Sequence, residues 1–385
     1  MQTVLPIIIN IVILLLVIGV LTFIHELGHF LAAKAVGAKV LEFALGFGPK
    51  IFSKKVGETM YSLRALPFGG YVKILGDGDP IEGGLEKGDE KRNLSKKPKW
   101  QQIIVMLAGV TMNIILSIIV YYIVLANNGW KVMLNSDFEG FKPFGGEIVK
   151  EIEGEVKYIE VIKDGGAYKA GVPQKGVVKS INGEELVYST DVSRIVSDKK
   201  NEDVVMDICT EDEACQEYTV RVSGEGKVGM ILPTNYTITL SYVKSKMFSG
   251  FAHVVNNISL VGKAFGGILG RAKQTGDYTE LSHSVSGPVG IYFVIDYFKK
   301  FGFLSLLGVI AELSLSLAVI NLLPIPALDG GRVFILCIEA VLRKELNEKV
   351  ESAIINISFI FLIILILFII IKDIVNIDSL RNIFN

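Results

Sequence analysis

His25 and His29 stand four residues apart with Glu26 between them, in the run His25-Glu26-Leu27-Gly28-His29. On a helix that spacing advances the chain by one turn plus about 40°, so both imidazoles leave the same face and can bind one metal ion. Glu26 points elsewhere and stays free for proton transfer. The chemistry open to such a trio is metal-assisted hydrolysis, in which the ion activates water and the glutamate moves its proton. In a soluble helix a five-residue pattern of this kind arises easily by chance. Here it follows directly on Val4 to Ile24, a run without a charged side chain. Ionisable residues within a membrane span cost roughly 2.5 to 3.5 kcal/mol each at its centre, so three in five residues call for a bound ion or a polar cavity.

A catalytic zinc site normally takes three protein ligands plus a water. The two remaining histidines, His253 and His283, lie in a long segment assigned below to the other side of the membrane, which leaves a carboxylate. Asp329 stands in Asn321-Leu322-Leu323-Pro324-Ile325-Pro326-Ala327-Leu328-Asp329-Gly330-Gly331. Its two prolines stop a helix and force an extended piece, and non-helical backbone at membrane depth is tolerated only when buried in protein or lining a cavity. The residues themselves fit two uses of Asp329: third ligand, or N-cap of a helix beginning near Gly331.

Positioning these groups falls to apolar blocks. Half of the 385 residues are hydrophobic, mean hydropathy is +0.47, and the apolar residues cluster in Val4 to Ile24, Ile103 to Ala126, Phe303 to Leu323 and Ala353 to Ile371. About 20 residues rising ~1.5 Å each cross a ~30 Å hydrocarbon core, so each block is a candidate span. Met1-Gln2-Thr3 lacks a basic n-region and no small-residue cleavage pattern follows, so the first block reads as a retained helix. Lysines and arginines crowd Lys34 to Lys99 and recur from Arg332 to Lys349, placing those segments on the cytoplasmic side. Both termini and the domain-length segment from Asn127 to Lys300 then lie outside. A net charge of −1 and the lack of a basic, aromatic-studded patch set nucleic acid aside.

The two motifs together resemble those of the bacterial site-2 proteases, membrane-embedded zinc metalloproteases with a histidine-glutamate-x-x-histidine in the first span and an asparagine-x-x-proline-x-proline-x-leucine-aspartate-glycine at the end of the third. The resemblance covers essentially the whole chain. It implies a single Zn2+ held by His25, His29 and Asp329, Glu26 as general base, and Asn321 holding the substrate backbone near the metal. It also implies the bacterial cytoplasmic (inner) membrane, with the active site towards the cytoplasmic side.

Leu45 to Pro49 and Pro67 to Lys73 flank strand-like pieces such as Met60 to Leu66. By residue type this hairpin serves equally as a surface anchor for helices. The family resemblance implies a membrane-dipping hairpin to which an unwound substrate adds as a strand, with Gly69, Gly70 and Tyr71 binding substrate. Gly109 and Asn113 resemble the family's glycine-x-x-x-asparagine element, although Val110 replaces a frequent proline; they read as helix packing beside the site. Glu312, in mid-span, reads as a polar packing contact within the bundle or as a gate residue.

In the outside segment, Ala167 to Glu184 resembles the core of a PDZ domain, with a short helix ending at Gly171 and an Asn182-Gly183 turn between strands. A strand-helix-strand passage is expected over Val192 to Val222. Such a domain either takes a peptide ligand by strand addition or acts as a steric filter for trimmed substrates. Cys209 and Cys215 either pair in a hairpin or remain buried thiols, and Cys337 reads as core.

The expected architecture is a polytopic α-helical membrane protein of about four transmembrane helices, with a membrane-associated β-hairpin region and one extracytoplasmic PDZ-like α+β domain. In order, the expected parts are a first helix with the zinc motif (1–35), a cytoplasmic-side membrane-dipping β region (36–100) and a second helix (101–127). The PDZ-like domain (128–235) and an amphipathic membrane-surface connection (236–300) follow. A third helix with the Asp-Gly motif (301–345), a fourth helix (350–373) and a tail (374–385) complete the chain. The function this supports is an intramembrane zinc endopeptidase acting on single-span membrane proteins, in contact with lipid, for signal release or signal-peptide clearance. The rival reading is a non-catalytic scaffold that binds partners through the PDZ domain around a structural metal, but structural zinc usually has four protein ligands and no fourth is evident. No repeat of broken helices supports a transporter.

Overall fold

The computed structural model describes residues 4–77, 89–210, 214–344, 346–378 and 381; the expected β region and tail extend beyond these, and the side chains of Pro67, Phe68, His283 and Glu348 also lie outside the description. By internal contacts the chain divides into one unit of Met1–Asn127 with Met247–Asn385 and a second of Asn128–Lys246.

Helix α1 (Val4–Ala35) opens the first unit. It ends because Gly37 takes φ +72°, which lets Gly37 and Ala38 fold their N–H groups back onto Lys34 and Ala33 carbonyls. Strands β1 (Val40–Val56) and β2 (Thr59–Ile74) follow as an antiparallel pair. Both bend. Residues 42–45 pair with 60–63 and also with 70–73, while 50–56 pair with 59–64, so two long strands make a four-stranded curl whose outer strands are 70–74 and 50–56. Phe43 turns its ring onto Phe23 and Phe30 of α1, seating the curl against the metal-motif helix. At the β1–β2 turn, Glu58 accepts from Lys34 and Arg92, and these two cations hold its carboxyl down at about 2. Helix α2 (Lys99–Asn127) then returns through the unit.

The second unit comprises β3 (Lys131–Leu134), β4 (Glu147–Ile152), β5 (Lys157–Tyr158), β6 (Glu160–Val161), α3 (Gly166–Lys169), β7 (Gly176–Ile181) and β8 (Glu184–Glu185). It continues with α4 (Ser189–Ser197), β9 (Asp203–Cys209), β10 (Cys215–Arg221), β11 (Met230–Ile231) and β12 (Tyr236–Ser241). The strands form the orders β10-β9-β7-β5 with β8 on β7, β3-β12-β4, and β11-β6. Tyr158, Ile181, Met206 and Ile208 fill its core. Asn182 and Gly183 both take positive φ, 50° and 80°, as a two-residue hairpin turn requires.

Two expectations change here. The Val192–Val222 passage is helix-strand-strand, because the apolar alternation of Asp203–Cys209 and Cys215–Arg221 makes a hairpin after α4. Tyr236–Ser241, expected in the amphipathic connection, is the middle strand of a sheet, its apolar residues buried between β3 and β4. Cys209 and Cys215 are joined by a disulfide across the β9–β10 hairpin.

The first unit resumes with α5 (Ser249–Thr275), α6 (Thr279–Ser284), α7 (Pro288–Phe298), α8 (Phe303–Asn321), α9 (Asp329–Leu342) and α10 (Glu348–Val375). Asp373 of α10 accepts the Gly287 and Gly290 N–H groups at 2.8 and 3.3 Å, supplying an acceptor to the start of α7. Glu312 on α8 accepts from Tyr121 of α2 and Asn257 of α5, each at 2.5 Å, a polar tie among three helices. Cys337, expected in the core, is exposed. The buried stripe of α9 runs through Ile335 and Glu339, and Cys337 sits about 200° around the helix from either. Among the described residues four helices, Leu5–Ala35, Lys99–Asn127, Phe303–Asn321 and Lys349–Val375, are long and apolar enough to cross a membrane, as a multi-pass membrane protein requires.

Candidate metal centre

His25 and His29 project from one face of α1 with their Nε2 atoms 3.2 Å apart. Asp329 comes to them from the first turn of α9. Its Oδ2 lies 3.0 Å from His25 Nε2 and 3.3 Å from His29 Nε2. Asp329 is the first residue of α9 and not its N-cap, a position taken by Leu328, and its carboxylate faces the two histidines.

The chain path to Asp329 depends on Pro324 and Pro326, which end α8, and on the glycines after the aspartate. A Cβ on Gly330 would meet the Leu322 carbonyl oxygen at 2.3 Å, and one on Gly331 would meet that of Ile325 at 2.0 Å. Only glycines let α9 begin while pressed against the non-helical segment 322–328. Arg332 pairs with Asp77 beyond β2 at 2.5 Å, and Lys99 of α2 pairs with Glu339 at 2.8 Å, holding α9 from two sides.

Helices α1 and α2 cross closely at the site. Gly28 has the Ala108 carbonyl where a Cβ would stand, at 2.3 Å. On Gly109 a Cβ would lie 2.4 Å from His29 Nε2 and 2.8 Å from His25 Nε2, so this glycine leaves room for the imidazoles. His29 Nδ1 lies 2.8 Å from the Val105 carbonyl and donates to it, which leaves the Nε2 lone pair free. The Asn113 amide lies 3.3 Å from His25 Nδ1.

Tetrahedral zinc at ~2.0 to 2.1 Å from its ligands separates them by about 3.3 Å. The three distances here match that spacing. With the His29 Nδ1 proton directed to the Val105 carbonyl, the Nε2 lone pair of His29 faces the buried Asp329 Oδ2, a convergence of acceptors that suits a cation. Among the described residues, His25, His29 and Asp329 are the one group of this kind.

Glu26 stays outside the trio. Its carboxylate accepts from the backbone N–H of Val72, and its Cγ is 3.7 Å from where a Gly70 Cβ would stand. The outer edge 70–74 of the curl thus runs past Glu26. Tyr71 is turned away by strand alternation: its phenol bonds Arg64 and Glu42 on the other face. Gly69 bends the strand just before this edge, at φ +80°. Asn321 closes α8, and among the described residues no hydrogen bond joins it to the trio. His253 packs its ring on Tyr121, 4.6 Å between centroids, away from the ligands. Residue chemistry alone missed Asp77 and the Val105 carbonyl; a lone arginine directly after Asp-Gly-Gly was the available sign of the first.

Residues 13–365 match the family described as Peptidase family M50. The chain belongs to peptidase family M50. Relatives of this M50 peptidase match nearly end to end. A Clostridium perfringens protein is 34% identical over 365 residues, covering 94% of this chain and 97% of that protein. The Regulator of sigma-W protease RasP of Bacillus subtilis is 30% identical over 445 residues, 94% of this chain and 97% of RasP. The Zinc metalloprotease RasP of Bacillus licheniformis is 28% identical over 442 residues, with 94% and 97% covered. The resemblance to site-2 proteases is borne out: this M50 chain is a metalloprotease of the membrane, with residues suited to zinc.

Proposed function

We propose that the chain is an intramembrane endopeptidase that binds one zinc ion through His25, His29 and Asp329 and hydrolyses peptide bonds within or next to the transmembrane segments of single-span membrane proteins. The observation that carries this reading is the convergence of two imidazoles and a carboxylate, 3.0 to 3.3 Å apart, inside helices apolar enough to span a bilayer. A zinc ion held by these three residues would supply Lewis-acid polarisation of water and of the scissile carbonyl. Glu26 takes the proton of the attacking water and returns it to the leaving amine. The outer edge 70–74 offers main-chain groups to an unwound substrate strand, so that Gly70 and the Tyr71 backbone align the scissile bond beside Glu26. Asn321 steadies the substrate backbone from the end of α8. The second unit lies outside the cytoplasm as a PDZ-like domain that binds peptide or filters substrates by size, while the active site opens towards the cytoplasmic side of the bacterial inner membrane. The name of the Bacillus subtilis relative, a regulator of sigma-W, supports use in regulated proteolysis.

The test is cleavage of a model single-span protein by the purified chain in lipid. Wild type is expected to cut it, and Glu26→Gln to lose about 10²-fold or more in rate while retaining zinc, as removal of a general base requires. A Glu26→Gln protein that cuts like wild type, or a wild type without zinc, overturns the reading.

A further inference from the structure

Both histidine ligands are approached from one stripe of α2. Val105, Gly109 and Asn113 recur every four residues, the first bonding His29 Nδ1, the second making room for both rings, and the third bonding His25 Nδ1. Asn113 is fully buried, at 0% exposure. Its backbone is pinned as well: Ser117 and Ser314 donate their hydroxyls to the Asn113 carbonyl at 3.0 and 2.9 Å, the second from α8. The side chain therefore cannot withdraw from His25 without disturbing two helices.

Its amide orientation carries the argument. As drawn, Nδ2 faces His25 Nδ1 at 3.3 Å, and the Asn113 Oδ1 is buried without a partner. An imidazole that gives its Nε2 lone pair to a metal carries its proton on Nδ1, so this arrangement sets donor against donor. Oxygen and nitrogen of an amide are interchangeable in shape. Turning the amide about lets Oδ1 accept the Nδ1 proton, removing the orphan oxygen and the conflict together.

The geometry points to Asn113 as a positioning residue, a carbonyl acceptor that fixes the His25 tautomer and ring orientation for metal binding. It does for His25 what the Val105 carbonyl does for His29. This rests on the metal site of the proposed function, but concerns zinc affinity rather than peptide hydrolysis.

The experiment measures zinc affinity of the full-length protein in detergent by competition with a chromophoric chelator, alongside the melting temperature of the metal-free protein. Asn113→Asp keeps the shape and an acceptor, whereas Asn113→Leu keeps the volume and removes it. Loss of an outer-sphere partner typically weakens metal binding about 10- to 100-fold. Asn113→Leu is expected to fall by that factor and Asn113→Asp to stay within about threefold of wild type, well short of that loss. A packing role predicts the reverse order, since leucine suits an apolar interface better than a carboxylate. If Asn113→Leu does not fold, Asn113→Ala removes the acceptor without adding bulk and is held to the same expectation. Acceptor-free variants that bind zinc like wild type, or an Asp variant as weak as they are, overturn the role of Asn113 alone. A wild type that binds no zinc overturns the metal site with it.

Discussion

At the scale of single residues, the metal centre is made by what is missing as much as by what is present. Gly109 has no side chain because a Cβ there would stand 2.4 Å from His29 Nε2. Gly109→Ala should therefore displace the imidazoles, and metal analysis of the purified variant should find zinc content well below that of wild type although the helices still form, as circular dichroism can check. Asp329→Ala removes one of three ligands and should likewise be purified nearly free of zinc. The pair of histidines on one helix face, with Glu26 next to the first, was legible because helical spacing is a local property. Asn113 was legible as a helix-packing residue beside the site and Arg332 as one of the basic residues marking the cytoplasmic side, but not their contacts, since His25 and Asp77 lie far away in the chain.

At the scale of elements, the β1–β2 curl is what brings a backbone edge to Glu26. Gly70 sits 2.8 Å, measured from an added Cβ, from the Ala44 carbonyl and close to the Glu26 side chain. Gly70→Val should spread the curl at this point and slow cleavage of a single-span substrate, with zinc affinity unchanged because no ligand moves. The curl is also clamped by Glu58, whose carboxyl is held at about 2 by Arg92 and Lys34. A depressed folded-state pKa contributes stability above the unfolded value, about 4.5, and that contribution fades as pH falls towards 2. Melting of wild type and Glu58→Gln in detergent should differ at pH 7 and converge between about pH 4.5 and 2. The hairpin was legible from its turn glycines, but not its doubling into four strands: the bends that allow residues 42–45 to pair on both sides come from irregular register that no alternation pattern encodes.

At the scale of the whole molecule, the chain is two units with separate cores, and their stabilities should be separable. The Cys209–Cys215 bond closes a short loop in the second unit, worth about 2 kcal/mol on loop-closure grounds. Replacing both cysteines by alanine should lower the denaturant midpoint of that unit by a corresponding amount and leave zinc affinity in the first unit as it was; a fluorescence unfolding curve and a chelator titration read the two effects. The sequence by itself determined the membrane class, four candidate spans and the shared face of His25 and His29, because hydropathy and helical period are summed along contiguous residues. It also carried the family. Only the tertiary structure showed that the Asp329 carboxylate faces His25 and His29, which face Tyr71 presents, and which groups of α2 approach the two imidazoles. Each of those depends on a contact between segments many residues apart, where close packing of α1, α2 and α9 at glycines sets distances that no local pattern contains.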